Sequence, residues 1–334
     1  MEGLDGRLKG GHDETVKWDR MTPPLVDILP GKLSVPRNGL LDRLRVRLSG
    51  GGLVIPIFLL AWFSLVILPI IILFAFSFFE TKTFVTIYKP TLNTWYALFE
   101  SGRFEVTLRT LRIALTVTLI ELLIGFPFAL WLAKGGTSKT TKAIVLALLT
   151  IPFFLDMSSR TIIWRAIFGQ NGLINSVLLE LGAIDAPLEW MLYTEWSVHF
   201  GMIITYFPTM VLPIYLAISV IDDSFIEASD DLGASAAQTL FRIILPLSLP
   251  GVMAGIVFTL GPALAAWVEP SMLGGGFVNL LSNSVESAYT ALKYPVVAAL
   301  STLIIVLLAL LLAVLALLAR RFGDLAAILR PLKT

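Results

Sequence analysis

Six windows of this chain are long and apolar enough to matter to a bilayer, where a helix needs about 20 mainly apolar residues to cross the hydrocarbon layer. They cover residues 53–79, 113–133, 144–157, 198–220, 252–272 and 296–318. The third is shorter than the others and runs into Pro152. Prolines also fall inside other windows, at Pro69, Pro127, Pro208, Pro213 and Pro262. Membrane helices tolerate such kinks because neighbouring helices satisfy the freed carbonyls. The pattern predicts an all-α, polytopic membrane protein with about six transmembrane helices.

The polar stretches between the windows set an orientation. Lys and Arg gather on the cytoplasmic side of membrane proteins. With the N-terminus inside, nine fall in the N-terminal extension, three at 134–142, one at 221–249 and four at the C-terminus, which is 17 of the 25 in the chain. Both termini are therefore expected in the cytoplasm. Residues 1–50 scatter Lys9, Lys17, Arg20, Lys32 and Arg37 among Gly, Pro and Asp, and read as a polar, partly disordered cytoplasmic extension. Within it, 41–48 alternates leucine with arginine, either a surface-lying amphipathic helix or an unstructured tail. The apolar body then spans 51–325, and 326–334 forms a short cytoplasmic tail. The outer 158–197 segment carries Trp164, Trp190, Tyr193 and Trp196, as expected of an interfacial aromatic belt with short helices lying along the outer face.

Composition sharpens this picture. Charged residues make up 15% of the 334-residue chain, against about a quarter in soluble domains, and mean hydropathy is +0.83. Net charge is only +1, so no excess points to nucleic acid. The absence of cysteine excludes thiol catalysis, disulfides and iron–sulfur clusters. His12 and His199 lie far apart in the chain, an improbable pair for a metal site.

One polar loop breaks the charge rule. Residues 221–249 carry Asp222, Asp223, Glu227, Asp230 and Asp231 against Arg242 alone. Asp222–Asp223–Ser224 offers helix-capping side chains, and the carboxylates that follow favour a helix N-terminus. Phe225, Ile226, Leu232 and Ala236 fall near helical spacing, Gly233 interrupts, and 234–245 predicts a second short helix ending at Pro246. A solvated connecting loop has little need of such a regular apolar face.

These residues resemble the coupling loop of ABC importer permeases. Glu227-Ala228-Ser229, three residues, Gly233, nine residues and Ile243-Ile244-Leu245-Pro246 is similar to that family's Glu-Ala-Ala, Gly, Ile-x-Leu-Pro pattern, with Ser229 replacing an alanine. The resemblance covers about residues 50–325. It implies the type I importer transmembrane fold, in which this loop forms a coupling helix seated in a groove of a separate ATPase subunit. On that reading Glu227 accepts hydrogen bonds from the ATPase or caps its own helix, and Ala228 and Ser229 permit close approach. Gly233 allows the turn, while Ile243, Leu245 and Pro246 close the element and return the chain to the membrane. The implied partners are an ATPase dimer using ATP and Mg, a second related permease, and an extracytoplasmic solute-binding protein docking on the 80–106, 158–197 and 273–295 loops. No cofactor is expected in this chain.

Within that superfamily the chain is most similar to the spermidine/putrescine class. The stretches concerned are Ile151-Pro152-Phe153-Phe154 with Arg160-Thr161 and Trp164, Tyr206-Phe207-Pro208 with Leu212-Pro213-Ile214-Tyr215, and Gly261-Pro262-Ala263-Leu264 through Pro270 and Gly274. Relatives that carry opines, amino-acid derivatives, ferric iron or thiamine share parts of them. The class commonly places an acidic residue just before the valine of the fifth span, where this chain has Ala265-Ala266, and Glu269 stands further along. Asp156 occupies a place where a neutral residue is expected. Ionisable groups within spans are costly and tend to face a cavity or a partner, which singles out Glu121, Asp156 and Glu269. Glu269, Asp156, Trp267, Tyr206 and Trp164 are the candidate lining of a path for a small organic cation such as a polyamine, the aromatics adding cation–π contacts. Asp156 also reads as an i,i+4 ion-pair partner of Arg160, and Glu121 as a hydrogen-bond partner of a neighbouring helix.

Lys134-Gly135-Gly136-Thr137-Ser138-Lys139-Thr140 has the composition of a phosphate-binding loop without its spacing. Energy must come from another chain. A membrane-embedded enzyme would need a reactive set at one depth, and a secondary transporter an inverted repeat. Neither pattern is visible in the sequence, so an importer subunit of the bacterial inner membrane is the expected function.

Overall fold

The computed structural model describes residues 54–322, with side chains through Ala319. The N-terminal extension, the 41–48 segment and the 326–334 tail lie outside the described residues. The chain divides at Leu65–Val66 into two compact units, and the sites below lie wholly within the second.

The helical plan holds. In order come α1 (Val54–Phe76), a hairpin of β1 (Glu80–Lys82) and β2 (Val85–Ile87), α2 (Asn93–Glu100), α3 (Arg103–Lys134) and α4 (Lys139–Thr150). They are followed by α5 (Met157–Phe168), α6 (Leu173–Glu180), α7 (Glu195–Ser219), α8 (Asp223–Asp231) and α9 (Ala236–Thr239). The last are α10 (Leu245–Leu264), α11 (Val268–Leu273), α12 (Leu281–Thr290) and α13 (Tyr294–Phe322). Among the described residues, five helical stretches are long and apolar enough to cross a membrane, and a sixth is added if a bent pair counts as one span.

That bent pair corrects the third window. After α4 the chain tightens into a 3-10 turn, Ile151–Phe154, and breaks at Leu155–Asp156 before α5 begins. The two helical stretches meet at 102°. Pro152 lacks the N–H that an α-turn needs at that point, and Asp156 starts a new helix by accepting a 3.0 Å hydrogen bond from the Ser159 N–H. The fifth window also shifts. Its helix begins at Ala236, runs through the π-turn Leu240–Ile244 into α10, and stops at Leu264, so Glu269 belongs to the separate short helix α11. Pro246 therefore does not end an element. It sits at the start of α10, where a missing N–H is tolerated, and the π-turn before it absorbs the altered hydrogen-bond register.

α7 is the centre of the bundle. Val198, Met202, Tyr206, Met210, Ile214 and Ile218 recur every four residues and are all buried. One side meets α3, where the ideal Cβ position of Gly125 would lie 3.2 Å from Val211. The other meets α10 at Gly251 and Gly255. A Cβ at Gly251 would lie 2.6 Å from the Pro213 carbonyl oxygen, and one at Gly255 would lie 2.8 Å from that of Met210. This Gly-x-x-x-Gly spacing lets two membrane helices approach through their backbones, where lipid supplies no hydrophobic drive for association. At the Glu195 end of α7, Arg112 on α3 donates to both carboxylate oxygens of Glu195, at 2.5 and 2.6 Å. Large residues of α13 such as Ile305, Leu310 and Leu317 remain exposed, as lipid-facing or partner-facing positions do.

Gly255→Leu is expected to lower the thermal unfolding midpoint of the purified protein, since overpacking costs about 1–3 kcal/mol. Gly261→Ala should leave that midpoint unchanged, because its nearest neighbour is 4.0 Å away. A thermal-shift series on the two variants checks the contrast.

Candidate functional site

Two regions carry chemistry: a polar helical hairpin joining α7 to α10, and a cavity among α5, α7 and α10. The hairpin begins where Asp222 caps α8, accepting 2.9 Å from the Ser224 N–H. The Ser224 N–H, then the Ser224 side chain, hold the Asp222 carboxyl below its usual range, with Lys134 adding to the effect. α8 closes on Gly233, whose φ of +74° is open to glycine at little steric cost. There the Gly233 N–H donates to the Asp230 carbonyl at 2.9 Å and the Ala234 N–H to the Ser229 carbonyl at 3.0 Å. Ser235 then caps α9 reciprocally with Gln238.

Ser229 differs from its expected role. Instead of presenting a small surface outward, its hydroxyl is buried 2.9 Å from that of Thr239, tying α8 to α9. Glu227 and Ala228 are exposed, and Asp222, not Glu227, caps the helix. Ile243 lies in the π-turn and lines a cavity of about 550 Å³ with Phe225, Ala228, Leu232, Gly233 and Arg242. Leu245 and Pro246 open α10. Phe225 and Leu232 are 54% and 88% exposed, although Ile226 between them packs on the core. Lys134 closes α3 instead of belonging to a free turn. Its ammonium reaches the Ile221 carbonyl and the Asp223 carboxylate, both at 2.5 Å, pinning the hairpin to the end of α3. The signal was the lone basic residue closing α3 opposite an acidic loop.

The cavity is about 420 Å³ in volume and brings together Asp156, Arg160, Thr205, Tyr206, Thr209 and Pro262. Asp156 and Arg160 do not form the i,i+4 pair, because the Asp156 carboxylate turns back to the Ser159 N–H and hydroxyl. Glu269 on α11 is fully buried behind this wall, its Cγ 3.5 Å from the Cβ position of Gly201 on α7. Its oxygens make no close hydrogen bond, the Thr205 side chain being a loose contact, and Nε of Arg160 has no hydrogen-bond partner. α11 packs against α5, the helix that carries Arg160. The Tyr206 hydroxyl lies 3.5 Å from the Pro262 carbonyl oxygen.

Two of the five path candidates lie elsewhere. Trp164 packs edge-on against Phe200 at 4.9 Å within a cluster that includes Phe168 and Trp196 and does not line this cavity. Trp267, the residue before α11, lines a different cavity with Ser282, Glu286 and Tyr289. Glu121 is buried on α3 and accepts from the Thr259 hydroxyl of α10 at 3.3 Å, which in turn lies 3.4 Å from that of Thr209. That contact is the interhelix bond anticipated for it. Among the described residues no cluster of His, Asp and Glu could hold a metal ion.

Residues 115–324 match the family described as the binding-protein-dependent transport system inner membrane component. Similar proteins include the spermidine/putrescine transport system permease protein PotB of Haemophilus influenzae, 33% identical over 226 residues covering 67% of this chain and 78% of the relative. The PotB protein of Escherichia coli K12 is 36% identical over 219 residues, 65% of this chain and 78% of its own length. A putative 2-aminoethylphosphonate permease, PhnU of Salmonella typhimurium, is 32% identical over 167 residues, 49% of this chain and 57% of the relative. Among solved structures, a chain of a bacterial ABC transporter that imports the acidic polysaccharide alginate shares the fold, with a TM-score of 0.66 and 19% identity over 84% of this chain and all of that one. These likenesses and the helical membrane architecture agree: the chain belongs to the family of binding-protein-dependent transport system inner membrane components, as a multi-pass permease subunit of an ABC importer and not an enzyme.

Proposed function

We propose that this permease moves a small solute bearing a cationic amine inward through the Asp156–Tyr206 cavity, driven by a separate ATPase that grips the hairpin at residues 221–246. The observation that carries the reading is the hairpin itself. It is stiffened internally by Ser229–Thr239 and Gly233 yet leaves Phe225 and Leu232 exposed beside carboxylates. Exposed apolar side chains rimmed by polar groups mark a protein contact surface. Glu227, Ala228 and Gly233 then lie at the contact, and Ser229, Ile243, Leu245 and Pro246 keep its shape. ATP and Mg belong to the partner ATPase. A second permease and an extracytoplasmic binding protein complete the assembly, with the hairpin and both termini of this chain in the cytoplasm and 51–325 forming the transmembrane body.

The transmission route follows from continuity of one helix. From Ala236 the chain stays helical to Leu264, so a displacement at the hairpin is delivered to Pro262 in the cavity wall and to α11, which carries Glu269. Lys134 gives α3 a share of the same motion. Rigid elements of this kind transmit small shifts at one end as domain movement at the other. The amine is recognised by Asp156 at the cavity wall and by Glu269 once α5 and α7 part. Similarity to PotB supports an amine, and the PhnU likeness allows an amine that also carries another group.

Gly233→Val should abolish co-purification with the ATPase and cut uptake at least tenfold while the chain still inserts, because a β-branched residue strains a positive φ. Undiminished ATPase capture would remove the hairpin from the coupling contact. Glu269→Gln should lower solute uptake in proteoliposomes about tenfold or more with assembly unchanged, as a charge-assisted contact is lost. The solute is first chosen by thermal-shift screening of the binding protein against polyamines, amino-acid derivatives and opines. Equal uptake by parent and variant would exclude Glu269 from the path.

A further inference from the structure

The cavity wall holds opposite charges that form no ion pair with one another. Asp156 and Arg160 both line it, yet neither forms an ion pair within 4.0 Å among the described residues. The Asp156 carboxylate commits one oxygen to Ser159 and leaves the other available. Arg160 keeps a buried Nε with no hydrogen-bond partner, and the fully buried Glu269 has only a loose contact with the Thr205 side chain. Buried polar atoms are almost always satisfied, so weakly partnered groups in and behind the cavity wall need a reason. Hydroxyls are close by on Thr205, Tyr206 and Thr209, all in the cavity wall.

A guanidinium is a poor neighbour for a solute that carries only ammonium groups. Any amine drawn to Asp156 or Glu269 would approach the like charge of Arg160, and like charges brought together in a water-poor site repel strongly. A guanidinium suits a carboxylate or phosphonate, whose oxygens match its planar donors. We propose that the transported solute is a zwitterion: its ammonium is taken by the carboxylates of Asp156 and Glu269, and its anionic group by Arg160. Such a solute satisfies both signs at once, where a linear polyamine answers the carboxylates alone. The proposal rests on the reading of this cavity as the solute path and narrows the solute class within it.

Two four-carbon compounds separate the possibilities. Putrescine has an ammonium at each end, and 4-aminobutyrate replaces one of them with a carboxylate. Each is titrated against the purified permease–ATPase complex in nanodiscs, without binding protein, and thermal stabilisation gives the half-saturating concentration. The expected result is that 4-aminobutyrate half-saturates at least tenfold below putrescine. Arg160→Gln should erase that preference, Arg160→Lys should keep part of it, and Glu269→Gln should weaken both compounds. ATPase co-purification reports whether each variant is assembled. If putrescine equals or exceeds 4-aminobutyrate, or if Arg160→Gln leaves the preference intact, the zwitterion assignment is wrong while the amine path stands. If neither compound stabilises the parent complex, both the assignment and the amine path fail.

Discussion

Two membrane helices can lie this close only if their backbones touch, and in this chain α7 and α10 do so at Gly251 and Gly255. In lipid there is no water to expel between helices, so association depends on close van der Waals contact and on hydrogen bonds between helices. The glycines place α10 directly against the carbonyls of Met210 and Pro213. That approach brings Thr259 within reach of both Glu121 on α3 and Thr209 on α7. The buried carboxylate, costly alone in a membrane, is accommodated by the packing that the glycines allow.

The same contact sets the geometry of the cavity. α10 ends at Leu264 beside Tyr206, and the turn through Ala265–Trp267 sends α11 back across α7 at Gly201. Glu269 thereby sits on a helix that packs against both α7 and α5. The 102° break between α4 and α5 supplies the opposite wall, with Asp156 at its corner. Hairpin and cavity are the two ends of a single helical run, so the proposed coupling needs no relay of side chains. The π-turn Leu240–Ile244 lies along that run, next to the proposed ATPase contact.

Part of this was legible in the linear chain. Apolar runs as long as 54–76 and 294–319 have no other stable solution than a membrane helix, because every backbone polar group must be satisfied within the segment. The hairpin was legible for a local reason: Asp222, Gly233 and Ser235 act through backbone groups within a few residues of themselves. The Gly251–Gly255 spacing was also present in the sequence and passed unnoticed, since its meaning depends on which helix lies opposite. The third and fifth windows were misplaced where prolines allow either a kink, a break or a helix start, and hydropathy does not separate these outcomes.

By itself the sequence determined that the chain is a helical membrane protein with a capped, glycine-broken acidic hairpin, since these features follow from hydrocarbon thickness, backbone hydrogen bonding and short-range capping. Only the tertiary structure decided what each polar side chain faces. It turned Asp156 toward Ser159 and away from Arg160, buried Ser229 against Thr239, spent Trp164 on an aromatic cluster, and sent Trp267 to a different cavity from Glu269. The physical reason is that a side chain's partner in a bundle is set by helix breaks and interhelix distances between residues far apart in sequence, and residue type and spacing do not encode those distances.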